Sequence, residues 1–282
     1  MVERRGLSHY IAHAILILGV LIIAFPVYIC FVGSTHPKDV IANGQMPLWP
    51  GPVFFETYAQ ALFAGSSNTT RQPVIQMMLN SFWMAIIITT GKIAISILSA
   101  YAVVYFKFPF QRTAFWLIFM TLMLPVEVRI YPTYKIVSDM HLLDTFAGLT
   151  LPLIASATAT LFFRQFFMTI PDELVEASKL DGAGPVKFFI DTVLPLSRTN
   201  IAALFVILFI YGWNQYLWPL LITTREEMQT IIIGIKKMIV TADALTEWNT
   251  VLATTMLAML PPVLVVVLMQ RWFVKGLVET EK

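Results

Sequence analysis

Chemistry-bearing residues in this 282-residue chain gather in two places. The first is a polar stripe within an apolar run. Thr89, Lys92, Ser96 and Ser99 stand at offsets of zero, three, seven and ten, which is one face of a helix. Ser156, Thr160 and Arg164 repeat the pattern at successive i+4 steps. Small hydroxyl residues let helices approach closely and hydrogen-bond across the contact. A lysine inside a membrane is costly unless it finds a partner or water, so Lys92 is expected to face a protein interior or an aqueous route. Such a stripe suits the passage of a polar or anionic solute; pairing with a carbonyl, or snorkelling of Lys92, remains the simpler alternative. Bond-making chemistry has no comparable support. The chain has no G-x-S-x-G, no H-E-x-x-H and no G-x-x-x-x-G-K-[ST], because Ile86 stands where the first glycine before Gly91-Lys92 belongs. His9, His36 and His141 are scattered without metal-ligand spacing, and His13 reads as an interior imidazole. The one cysteine, Cys30, excludes an internal disulfide.

The second place is the stretch from Thr169 to Pro195. Thr169, Pro171, Asp172 and Glu173 carry the features of a helix start: a capping hydroxyl, an early proline and acids in the first turn. Leu180 is expected near the helix end, and Gly182 can take the left-handed geometry that terminates it. After Asp181-Gly182-Ala183-Gly184, Pro185 opens a second short helix through Lys187, Phe188 and Ile190, expected to stop before Pro195. Two short helices around a glycine corner make a knob with small residues at its bend, which lets another protein come close.

The elements that hold these places are membrane spans. The chain is 57% hydrophobic and 13% charged, with a mean hydropathy of +0.74. Soluble domains carry about 25% charged residues, so a water-soluble enzyme is excluded. Net charge of +2 is too small for a nucleic-acid partner. Six apolar stretches approach the about 20 residues that a bilayer demands, at 11–32, 81–106, 113–126, 146–167, 200–222 and 251–274. Five of the six carry proline, at Pro26, Pro125, Pro152, Pro219 and Pro261-Pro262, which suits helices that bend. Placing the N-terminus inside puts eleven of the nineteen Lys and Arg residues on that side and seven outside, with Lys92 within a span. Both termini are therefore expected in the cytoplasm, with the knob. The first span exceeds a signal peptide's apolar region and reads as an uncleaved anchor. The outer segment 33–78 holds an aromatic patch, Phe54, Phe55, Tyr58 and Phe63, suited to a short interfacial helix. Its Asn68-Thr69-Thr70 sequon is assigned no role, and Glu127 and Arg129 read equally as a cap, an outer-mouth contact or a solute contact.

Glu176-Ala177-Ser178-x-x-Asp181-Gly182-Ala183, followed by Phe188 and Leu194-Pro195-Leu196, resembles the EAA loop of permease subunits in binding-protein-dependent ABC importers. Ser178 replaces that family's usual alanine and is nearly as small. The run from Gly212 to Pro219, with Asn214, is similar to the carbohydrate-type branch, and nearly the whole chain resembles permeases for sn-glycerol 3-phosphate or glycerophosphodiesters. The resemblance implies an all-α membrane protein with six transmembrane helices, a single permease domain over 1–282 and a cytoplasmic coupling loop at 169–195 in the inner membrane. It implies Glu176, Ala177, Ser178, Asp181, Gly182, Ala183 and Phe188 as the docking set for an ATPase subunit. Lys92, Ser96, Thr160 and Asn214 are the candidate translocation path. Implied partners are a second homologous permease, two ATP-binding subunits that hold the ATP, and an external solute-binding protein on segments 33–78 and 223–247. No cofactor or metal is expected in this chain, which is not itself an enzyme. A neutral-sugar permease is one alternative; an ion-driven transporter or channel, which has no need of the knob, is another.

Overall fold

A computed structural model describes residues 7–65, 72–121, 124, 126–239 and 246–278. Arg4, Arg5, the Asn68 sequon, Pro125, the Glu127 and Lys275 side chains, Lys282 and the placement of both termini lie outside what is described. Among those described, all regular structure is helical. Three helices are long and apolar enough to cross a membrane: α1 (Leu7–Ser34), α4 (Val74–Tyr105) and α15 (Trp248–Val278). Two bent pairs raise the number of candidate spans to five. One joins α7 (Phe146–Thr150), with its 3₁₀ turn Leu151–Leu153, to α8 (Ala157–Phe167) at 47°. The other joins Pro185–Leu196 to α12 (Arg198–Trp213) at 69°. Each bend lies just past a proline, Pro152 or Pro195, whose missing N–H cannot continue the ladder.

The expected span at 113–126 is instead the ten-residue α5 (Gln111–Met120), and α6 (Val126–Asp139) follows. Pro132 lies within α6. The expected span at 200–222 is divided too. Beyond α12 the backbone breaks at Asn214–Tyr216 and resumes as α13 (Leu217–Ile222).

The chain divides into two compact units, and each stands by itself. The first comprises Met1–Met77 and Ile233–Leu260. In it α1 is apolar all round and leaves Ile15, Ile22 and Ile23 exposed, as a lipid-facing span must. His13 departs from expectation. It lies on the exposed surface of α1, satisfied by its Nδ1–H donating to His9 O at 2.8 Å. The segment after α1 folds back on the helix end through short hydrogen bonds: Tyr28 Oη to Leu48 O at 2.6 Å, and Gly51 N to Thr35 Oγ1 at 2.7 Å. The short α2 (Lys38–Ala42) precedes this return, and α3 (Phe54–Ala64) follows it. Phe55 and Phe63 on α3 are exposed, as an interfacial helix requires.

The second unit comprises Met78–Ile232 and Pro261–Lys282. Its length is set by α4, whose 32 residues span about 48 Å at the α-helical rise. Two glycines let neighbours reach this helix. A Cβ on Gly212 would stand 2.9 Å from Ala85 Cα, and one on Gly91 would stand 2.7 Å from Ile154 Cγ2. Two apolar clusters follow: one joins Tyr101, Phe163, Phe167, Phe188 and Leu204, and the other joins Met84, Ile88, Leu149 and Trp218.

Candidate functional site

The knob begins where α8 ends. Thr169 does not cap the next helix, as expected from sequence; its hydroxyl donates back to Phe166 O at 2.7 Å and closes α8. Pro171 occupies the N-cap of α9 (Asp172–Leu180), with Asp172 and Glu173 in the first turn. The end of α9 is a Schellman motif. Gly182 N donates to Lys179 O at 3.0 Å and Ala183 N to Ser178 O at 2.9 Å, while Gly182 takes φ +70°. Pro185 then opens α10 (Pro185–Phe188). Helical backbone runs past the expected stop, through a π turn at Phe189–Val193 into α11 (Leu194–Leu196). The wider π turn gives Pro195 the room that an α turn denies its ring.

Of the seven expected docking residues, Glu176, Ala177, Asp181 and Gly182 are exposed at this corner, while Ser178 and Ala183 are half-buried and line a pocket with Tyr101 and Tyr105; none of α9 is buried. Phe188 turns the other way. It is 6% exposed and packs inward, with its ring centroid 5.3 Å from that of Tyr105. Alternation explains this: a short amphipathic helix must give one face to its support. Tyr101 completes the support by donating from Oη to Pro185 O at 2.8 Å while its ring lies 4.9 Å from Phe189. The outward tip is apolar. Leu180 is 88% and Val186 71% exposed, and a groove of about 280 Å³ on the knob is lined by Leu174, Ala177, Asp181 and Lys187. Exposed apolar side chains grouped on a rigid, polar-rimmed projection mark a protein contact.

Away from the knob, Lys92 is buried, as its position in the stripe requires. Its Nζ stands 3.7 Å above the centroid of the Tyr211 ring, a cation–π contact, and no carboxylate among the described residues pairs with it. Ser96 Oγ donates to Ser156 O at 3.1 Å, and Thr160 Oγ1 reaches the same carbonyl at 2.9 Å. Ser156 itself caps α8 through Oγ to Ala159 N at 3.3 Å. Thus Ser96 and Thr160 meet at one carbonyl, where the bent span breaks. Asn214 lies apart from them, exposed at the break after α12. Arg164 stacks 4.1 Å over the Phe115 ring.

The description "binding-protein-dependent transport system inner membrane component" fits residues 72–279, which include both the stripe and the knob. The chain belongs to this family. It is therefore a permease subunit of an ABC transporter, and the ion-driven alternative is set aside. The chain is 58% identical over 282 residues, all of both chains, to the sn-glycerol-3-phosphate transport system permease protein UgpE of Agrobacterium fabrum. The protein of that name from Rhizobium meliloti matches equally, and that from Yersinia pestis bv. Antiqua is 57% identical over the full length of both. Among solved structures, a bacterial ABC transporter involved in the import of the acidic polysaccharide alginate matches with a TM-score of 0.81. That match covers 97% of this chain and 99% of that one at 20% identity, a likeness of fold.

Two parts of this permease's site escaped the sequence. Tyr101 and Tyr105, at i and i+4 near the end of an apolar span, carry a readable aromatic pattern that points at the knob. Tyr211 beneath Lys92 carries none, because its contact joins distant parts of the chain.

Proposed function

We propose that this permease takes up sn-glycerol 3-phosphate, or related glycerophosphodiesters, across the bacterial inner membrane, with both termini and the knob in the cytoplasm. A second homologous permease completes the path. Two separate ATP-binding subunits bind and hydrolyse the ATP, and an external solute-binding protein delivers the solute to segments 33–78 and 223–247. Lys92, Ser96, Thr160 and Asn214 belong to the path. The observation that carries the mechanical half is the knob: an apolar tip, Leu180 and Val186, stands outward on a base fixed by Phe188 and Tyr101. A soft loop dissipates a push; this corner delivers it to α4. Closure of the two ATPase subunits draws the paired knobs together and favours the outward-open arrangement, because nucleotide binds the closed pair more tightly. The solute rests on the full-length relatives named for sn-glycerol-3-phosphate transport.

The test is uptake into proteoliposomes holding both permeases, both ATPase subunits and the binding protein. Labelled sn-glycerol 3-phosphate is expected to accumulate with ATP inside the coupled compartment and not without it. Accumulation of a neutral sugar such as maltose, with glycerol 3-phosphate excluded, overturns the solute assignment in favour of a neutral-sugar permease.

A further inference from the structure

Both broken elements of the second unit open onto one small cavity of about 120 Å³. Leu153, from the turn after α7, and Gln215, from the break between α12 and α13, line it together with Arg129 and Thr133 of α6. Interrupted backbone at membrane depth is tolerated where it is buried in protein or lines a cavity. What lines this one is lopsided in charge. Arg129 brings a guanidinium, and no acidic side chain lines the cavity or pairs with Arg129 among the described residues. Gln215 spends one amide hydrogen on Tyr211 O at 3.1 Å and keeps the other. Thr133 donates its hydroxyl hydrogen to Arg129 O at 2.7 Å, which leaves that oxygen an acceptor. The wall opposite is the Trp218 indole, already held by Nε1–H donating to Gly148 O at 3.2 Å.

A second cation adds to the first. Lys92 rests on the ring of the same Tyr211 whose carbonyl holds Gln215. Two like charges raise the local positive potential and attract an anion. Guanidinium matches a phosphate or carboxylate through two parallel hydrogen bonds. A space of this volume admits a phosphoryl-sized group.

We propose that this cavity is an anion station on the permease's path, where Arg129, seconded by Lys92 and Gln215, receives the phosphate of a small phosphomonoester. The proposal deepens the glycerol 3-phosphate reading and rests on it. Glu127 and Arg129 thereby separate: Arg129 is the solute contact.

The test uses the complete transporter in phosphatidylcholine vesicles, with sn-glycerol 3-phosphate uptake and ATP hydrolysis measured together. Arg129→Gln is expected to lower solute moved per ATP by about tenfold or more, the loss of one charge-assisted pair, while binding-protein-stimulated hydrolysis persists. Arg129→Lys, which keeps the charge, is expected to recover part of the ratio, and Gln215→Ala to lose less than Arg129→Gln. An unchanged ratio in Arg129→Gln overturns the station. Equal loss in Arg129→Gln and Arg129→Lys with hydrolysis also lost shows a structural role and overturns it too. A headgroup of an anionic lipid shares the phosphate chemistry. A defect that appears only when phosphatidylglycerol is added to the vesicles assigns the cavity to lipid and overturns the path role. If the wild-type transporter moves only neutral sugar, the functional reading itself has failed, whatever the variants do.

Discussion

Gly182→Ala isolates the corner of the knob better than any truncation. Gly182 holds φ +70°, and an added Cβ meets nothing within 4 Å, so crowding contributes nothing. The cost is conformational: an L residue in the left-handed region loses about 1–2 kcal/mol relative to glycine. Part of that is offset because alanine restricts the alternative, undocked conformations by about 0.4–1 kcal/mol. The remainder, about 1 kcal/mol, is a factor of about five in the population of the docking geometry. The assay is the affinity of the permease pair, in nanodiscs, for its ATPase subunits. Gly182→Ala is expected to bind about fivefold more weakly, whereas Gly182→Asn stays near wild type because asparagine tolerates this conformation. Gly184 supplies the control. It too has open space around it, but at the N-cap of α10 it takes φ −72°, which any residue adopts. Gly184→Ala is expected to bind like wild type. Equal damage from Gly182→Ala and Gly184→Ala, or none from Gly182→Ala, refutes the reasoning.

Tyr101→Phe removes the donor to Pro185 O and keeps the ring against Phe189; it is expected to lower thermal stability by about 1 kcal/mol. Tyr101→Ala also empties the aromatic cluster and is expected to cost about 3–5 kcal/mol, read by thermal unfolding in detergent. Gly212→Leu has no room beside the Ala85 backbone and is expected to collapse folded yield in a fluorescence size-exclusion profile, while Gly19→Leu, with nothing within 4 Å, is tolerated. Asp144 gives a pH test. Burial is the largest single influence and raises its carboxyl, but the hydrogen bonds from Arg225 N at 2.9 Å and from Thr224, with the Arg225 charge, together outweigh it and hold it below the ordinary carboxylate range. A depressed native value means its stabilisation is present above the unfolded value of about 3.9 and is lost as pH falls through the native one. The protection of the Thr224 and Arg225 amides, relative to their intrinsic exchange rates, is therefore expected to hold at neutral pH and to fall below about pH 4, with Asp144→Asn abolishing the dependence.

The knob was the most legible part, because its signals are local. Acids in a first turn, a leucine at the end, a left-handed glycine and a proline opening the next helix each act within a few residues, and all appear where expected. Thr169 failed as a cap for a local reason: it stands two residues before Pro171, which takes the N-cap, so its hydroxyl serves the helix behind it. Pro195 failed as a stop because a π turn absorbed it, and no sequence pattern announces π turns. Breaks within spans were hidden where hydropathy is continuous but backbone is not. The apolar runs at 146–167 and 200–222 hide breaks whose stability depends on what lies across them. Lys92 was expected inside, and it is. Its support by Tyr211 is tertiary and left no trace in spacing.

Crosslinking from the knob is the most direct measurement of the central claim, that an outward apolar corner transmits the work of separate ATPase subunits to this permease. A photoreactive residue at Leu180, in native membrane vesicles, is expected to capture an ATP-binding subunit, with a yield that changes when ATP is added. A photoreactive residue at Ile23, exposed on α1, is expected to capture none. Capture of no ATP-binding subunit from Leu180, with the binding protein and nucleotide both present, contradicts the account.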